Sequence, residues 1–267
     1  MTTSTSTDPI LFEVDAATGV ATLTLNRPER YNAFNLQMIT QWREALTRVE
    51  REPEIRALIV TGAGKAFCAG GDMDELEAFA TMTSHERKSF LWDNVHQIAL
   101  LLERIDCPVI AAINGTARGA GLDMALMCDL RVMDASVVVA ETYVDVGLMP
   151  GDGGAWYLPR LVGTAKALEL LWTGDPIDAQ TALAIGLVNK VAPAGKALEE
   201  ARVLATRIAA KATHALRFAK RSVYQNMSGA ASLRSHLDAV SSHMSILEDM
   251  PAFRDKVEAF RQRAKKK

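Results

Sequence analysis

Two glycine-rich segments set the strongest limit on how this chain can fold. One runs over residues 65–72 and holds Gly70 and Gly71; the other runs over residues 114–123 and holds Gly115, Gly119 and Gly121. Each follows a short apolar run with strand character, residues 57–61 and 109–113, and each precedes a helical pattern. A switch from strand to helix leaves backbone N–H groups without partners at the helix start, where they can hold developing negative charge. Glycines in one such loop can simply permit a tight turn. Two loops that converge on one oxygen would form an oxyanion hole.

The remaining pattern places these loops in an α/β chain. Residues 10–14 and 20–25 alternate around a turn with Gly19 and read as a β-hairpin. Residues 36–51 are amphipathic, with Met38, Trp42, Ala45, Leu46 and Val49 near helical spacing. Residues 74–105 read as largely helical, and residues 130–133 and 137–139 as short strands. A third glycine-rich loop, residues 147–154, precedes helical patterns at 156–161 and 165–172. Successive β-β-α units are therefore predicted, each with a loop at the strand-to-helix switch. From residue 197 the chain turns helical, with segments 199–220, 230–247 and 252–265. The expected organisation is a disordered Ser/Thr-rich tail (1–9), an α/β core (10–196) and a helical C-terminal region (197–267) suited to subunit contacts.

Bulk properties exclude several classes. Across 267 residues, 49% hydrophobic and 23% charged content suits a soluble globular protein with a substantial core. A net charge of −2 and a pI near 6.2 give no electrostatic footprint for nucleic acid or a membrane surface. No apolar run reaches the eighteen or so residues of a membrane span, and the start lacks signal-peptide character, so a cytoplasmic protein is expected. Cys68, Cys107 and Cys128 form no paired motif and read as reduced thiols. Cys68 lies within the first glycine loop, which makes a nucleophile conceivable, although no histidine is near it in sequence. A phosphate loop fails at Ile59 and Ala66, and a dinucleotide fingerprint fails at Met124. The five histidines show no metal-ligand spacing.

What remains resembles the crotonase superfamily, also called the enoyl-CoA hydratase/isomerase family. Residues 26–33, 66–72, 114–129, 147–154 and 184–188 are similar to five of its segments, in order and spacing, and the resemblance covers essentially the whole chain after the tail. It implies a crotonase-like spiral of β-β-α units with a C-terminal helical extension, assembled as a homotrimer or a dimer of trimers (a hexamer). It also implies an acyl-CoA substrate of fatty acid metabolism; because CoA is part of that substrate, no separate cofactor is expected. The N–H groups of Ala69 and Ala120 would hold the thioester oxygen. Arg27, Arg30, Ala33 and Lys65 would line the CoA site, together with Ala69, Gly70, Gly71, Asp72 and Met73. Phe260 and Lys265 would reach a neighbouring subunit's CoA. Residues 73–92 would shape the acyl pocket, where Met82, Phe90 and Trp92 suggest an apolar acyl group.

Hydratases of this family use two glutamates to activate one water. Here the first position holds Asp123, which also suits a helix N-terminus, and the second holds Tyr143. The acids nearby are Glu141, Asp145 and Asp152. In an extended segment Glu141, Tyr143 and Asp145 share a face, which would bring Asp145 toward the missing glutamate's place. Asp152 sits in the third glycine loop, where an acid is the base of some isomerases in the superfamily and where Asp also favours turns. Tyr143 could orient water, but a phenol with a pKa near 10 is a poor base. Water addition needs a base for water and an acid for the α-carbon, whereas a double-bond shift can use one base. The sequence therefore predicts an enoyl-CoA hydratase acting through a stabilised enolate, with Asp123 as leading acid/base and Asp145 or Asp152 as partner. An enoyl-CoA isomerase and an acyl-CoA-binding relative without chemistry are the alternatives.

Overall fold

The computed structural model describes residues 7–79, 81–227 and 232–264, with the side chains of residues 260, 263 and 264 outside the described set. Most of the tail (residues 1–6), the Phe260 side chain and Lys265 thus lie outside the described residues. At the tail's end the Pro9 carbonyl accepts a hydrogen bond from Asn26 N–H, at 2.8 Å.

The hairpin forms as expected from β1 (Ile10–Asp15) and β2 (Val20–Leu25), paired antiparallel. Helix α1 (Leu36–Arg51) follows; Asn35 caps it by accepting from Met38 N–H at 2.9 Å. Met38, Ile39, Trp42, Ala45, Leu46 and Val49 bury one face at the spacing of successive turns. Three β-β-α units come next. The first comprises β3 (Ala57–Gly62), β4 (Ala66–Cys68) and α2 (Met73–Phe79). After it, α3 (Ser84–Phe90) passes through a π-helical turn (Leu91–Val95) into α4 (His96–Arg104), so the largely helical segment expected over 74–105 consists of several pieces. The second unit is β5 (Val109–Ile113), β6 (Thr116–Arg118) and α5 (Ala120–Leu126). The third is β7 (Leu130–Asp134), β8 (Val138–Ala140) and α6 (Gly154–Val162).

The chain continues through α7 (Thr164–Thr173), β9 (Ile177–Asp178), α8 (Ala179–Ala184) and β10 (Lys190–Ala192). Four helices complete it: α9 (Ala197–Ala209), α10 (Thr213–Met227), α11 (Leu233–Asp249) and α12 (Pro251–Ala264). The first strand of each unit enters a six-stranded sheet of order β1-β2-β3-β5-β7-β10, and the second enters a four-stranded sheet of order β4-β6-β8-β9. The segment expected as one helix over 199–220 is two. Ala197, Ala201, Ala205 and Ala209 lay a small-residue stripe of α9 onto the large sheet against Ile59, Ile110 and Val132. The chain then turns at Lys211, whose carbonyl accepts from Arg56, before α10 departs.

Two contacts fix the glycine loops against each other. A Cβ on Gly121 would stand 2.0 Å from the Cys68 carbonyl oxygen, and one on Gly115 would stand 2.2 Å from that of Lys65. Asn32 adds a polar tie from the opening segment. It is fully buried with φ +57°, a conformation Asn tolerates, and its Nδ2 donates to the carbonyls of Ala63 and Ala66 at 2.9 and 2.8 Å. Since backbone cannot yield as a side chain does, Gly121→Ala is expected to cost about 2–3 kcal/mol. Urea denaturation will check this; unchanged stability would mean that the two loops do not approach this closely.

Candidate active site

The two loops converge on the wall of a cavity of about 490 Å³. Gly70 (φ +101°) and Gly119 (φ +46°) adopt backbone conformations that favour glycine, and a Cβ on Gly70 would lie 3.7 Å from Ala120 N. Ala120 is the first residue of α5, where an N–H has no acceptor within the helix. In the first loop the N–H of Ala69 is already engaged, donating to the Tyr31 carbonyl at 3.0 Å. A parallel bridge pairs Phe34 with Gly71 through Gly70 O and Asp72 N. That bridge leaves the Gly71 N–H pointing away from Phe34, on the cavity-lining strand. Of the two, Gly71 lines the cavity with its N–H turned away from Phe34, whereas the N–H of Ala69 is taken up by Tyr31. The sequence could not reveal this, because the bridge partner Phe34 lies in a distant segment.

Behind Ala120 lies a cluster of acids. Asp123 is fully enclosed in the opening turns of α5, and Glu141 and Asp152 are also buried. Tyr143 Oη stands 2.8 Å from Asp123 Oδ2 and 3.0 Å from Asp152 Oδ2. A phenol has one proton to donate, so both contacts are hydrogen bonds only when one carboxyl is protonated and donates to Tyr143 Oη. Burial raises every member. It lifts Asp123 to about 6 against the opposing hydrogen bond from Tyr143, with Asp152's charge adding to the rise. Burial and the neighbouring Asp123 push Glu141 well above the ordinary glutamate range. Burial raises Asp152 too, and it holds the Tyr143 phenol neutral. Held neutral in this way, the Glu141 carboxyl is the hydrogen-bond neighbour of Asp123 and can donate to it.

Other expected residues divide sharply. Asp145 does not join the cluster. Residues Thr142–Val146 form a 3-10 helix and not a strand, which turns Tyr143 and Asp145 to different faces. Asp145 is exposed, with its carboxylate beside Gly174. Glu141, noted in the sequence but given no role there, points inward instead. Arg27 is half-buried and tied to Asp72 at 2.7 Å and to the Ala33 carbonyl at 2.5 Å, which makes it a strut of the first loop. Burial would raise Asp72, but the Arg27 hydrogen bond and charge hold it below the usual carboxylate range. Arg30 pairs with Asp74 at the surface, and Lys65 is exposed. Cys68 is no nucleophile: it is buried, and desolvation pushes its thiol up to about 12. Met73 lines the cavity with Leu76, Phe79, Phe90, Leu91 and Val95. Trp92 is instead 56% exposed, and the Met82 carbonyl accepts from Arg87.

The profile of the family Enoyl-CoA hydratase/isomerase matches residues 15–265. A crotonyl-CoA hydratase of Syntrophomonas wolfei is 37% identical over 78% of this chain and 79% of its own. A 1,2-epoxyphenylacetyl-CoA isomerase of Escherichia coli is 34% identical over 91% and 92%. A crystal structure described as a putative enoyl-CoA hydratase/isomerase from Mycobacterium abscessus superposes with a TM-score of 0.90, at 32% identity, covering 95% of this chain and 96% of that one.

The buried acids carry a pH signature in stability. Asp123 rises from 3.8 to about 6 on folding, so folding favours its neutral form. That contribution is full below pH 3.8 and is lost as pH climbs through about 6. Asp123→Asn removes the loss. It is expected to exceed wild type in thermal stability at neutral pH by on the order of 2 kcal/mol, with the advantage fading toward pH 4. Parallel Tm profiles of the two proteins across that range would contradict the assignment.

Proposed function

From the premise that this chain belongs to the enoyl-CoA hydratase/isomerase family, we propose that it is an enoyl-CoA hydratase working through a thioester enolate. The observation that carries this reading is the Asp123–Tyr143–Asp152 chain beside the N–H groups of Gly71 and Ala120. The thioester oxygen accepts from these two N–H groups, whose fixed orientation needs little reorganisation as charge builds. Water adds its oxygen to the β-carbon and gives its proton to the ionised carboxylate. The protonated carboxyl delivers its proton to the α-carbon, and the enolate collapses to the saturated thioester. Because Tyr143 bridges two carboxyls sharing a proton, acid and base are both present, which one carboxylate could supply only awkwardly. Asp152 takes the partner role that the sequence left open between it and Asp145.

CoA is part of the substrate, and no further cofactor enters this chemistry. Lys65 and Arg30, both exposed, support binding of its phosphates. Apolar side chains exposed on α11 and α12, among them Leu233, Leu237, Met244, Ile246 and Phe253, support assembly into a homotrimer or paired trimers. Three free cysteines and an acyl-CoA substrate fit a cytoplasmic enzyme of fatty acid metabolism.

A second reading is an enoyl-CoA isomerase. Asp152, an acid in the glycine loop facing the cavity, favours it, because one base there could carry a proton from the α- to the γ-carbon of a 3-enoyl thioester. Absorbance of the conjugated thioester separates the two: hydration of a 2-enoyl-CoA removes the band, and isomerisation of a 3-enoyl-CoA creates it. Asp123→Asn and Asp152→Asn should each lower kcat at least about 100-fold on the substrate turned over. A loss of no more than tenfold would remove that residue from the acid/base role. CoA binding without turnover of any thioester would leave neither reading standing.

A further inference from the structure

The buried acids have one titratable neighbour that reaches toward solvent. His96 opens α4, and its Nε2 lies 2.8 Å from the Gly151 carbonyl oxygen and 4.0 Å from Asp152 Oδ1. A carbonyl only accepts, so Nε2 carries a hydrogen and Nδ1 is the atom that gains or loses the second proton. The imidazole is 30% exposed, whereas the Asp152 side chain is 9% exposed. The ring packs edge-on against Trp92, with centroids 6.1 Å apart. Asp152 Oδ2 is engaged by Tyr143, while Oδ1, the oxygen facing His96, has no hydrogen bond among the described residues.

We propose that His96 is a positioning residue for the reaction read above: it pins the Gly151–Asp152 loop through Nε2–H and, when protonated, keeps Asp152 the ionised member of the Asp123–Tyr143–Asp152 chain. The proton count makes such a device consequential. For both contacts of Tyr143 to be hydrogen bonds one flanking carboxyl must be protonated, and the surroundings decide which. On one side Asp123 is fully enclosed, and burial and the charge of Asp152 oppose its ionisation more than a hydrogen bond from Glu141 favours it. On the other side Asp152 faces an imidazole that can carry a positive charge. Burial raises Asp152, the Tyr143 hydrogen bond offsets part of that rise, and His96 pulls it further down. The shared proton therefore settles on Asp123, making it the acid and Asp152 the base. Other titratable groups around this pair are Glu141, the Tyr157 phenol, which meets the charge of Asp123, and the buried Cys68 thiol, which meets that of Asp152.

The test is a carboxyl-carbon titration of the whole protein labelled with 13C-aspartate, using Asp152→Asn to assign the signal. In wild type the Asp152 carbon should titrate in two steps, its own and one that follows the imidazole. In His96→Gln, whose amide can still donate to Gly151, the second step should vanish and Asp152's own midpoint should rise by about one pH unit. The acid limb of kcat/KM for an enoyl-CoA should move upward with it, because the base must be ionised. A single-step wild-type titration overturns the proposal, and so does an unchanged midpoint in a folded His96→Gln. If that variant does not fold, the wild-type step count decides. If the wild type turns over no acyl-CoA, the hydratase reading fails, yet the carboxyl titration still judges His96.

Discussion

The structure rests on backbone pressed against backbone. Where Gly121 meets Cys68 and Gly115 meets Lys65, there is no room for even one methyl group. That contact brings the starts of two helices from separate β-β-α units within reach of one oxygen atom. It also buries the first turns of α5, and with them Asp123, so the lowered acidity of that carboxyl is a by-product of the same approach. Remove the contact, and the donors separate while the acids regain water.

Much of this was readable from the residue pattern. The hairpin, α1 and the strands before each loop follow from alternation and helical spacing, because their apolar faces answer to one core. The two loops were legible as a converging pair. Their donors were only half legible: Ala120 follows from its place at a helix start, but Gly71 replaces Ala69 because of hydrogen bonds to Tyr31 and Phe34 that no local pattern encodes. The breaks at residues 91–95 and 210–212 carry no glycine or proline. They arise where packing redirects the chain, and helical periodicity alone does not mark such places.

Tyr143 shows why position along the chain is an incomplete guide to chemistry. The family resemblance implies a glutamate where this chain has Tyr143, and the structure sets beside that phenol the carboxyl of Asp152, nine residues later, across a turn capped by Gly147 in the left-handed conformation. A tight 3-10 helix swings Asp145 outward, and the glycine loop folds Asp152 back toward Tyr143. The carboxyl beside Tyr143 thus comes from a different stretch of chain.

The protons held by these acids have an effect beyond their transfer. Asp123, Glu141 and Asp152 crowd the wall on which an oxyanion must form. Were all three ionised, their combined field would work against the two N–H donors and make charge separation on the thioester uphill. Burial works against that by raising all three acids, so the same desolvation that favours a transferable proton also quiets the background against which a few backbone dipoles can act.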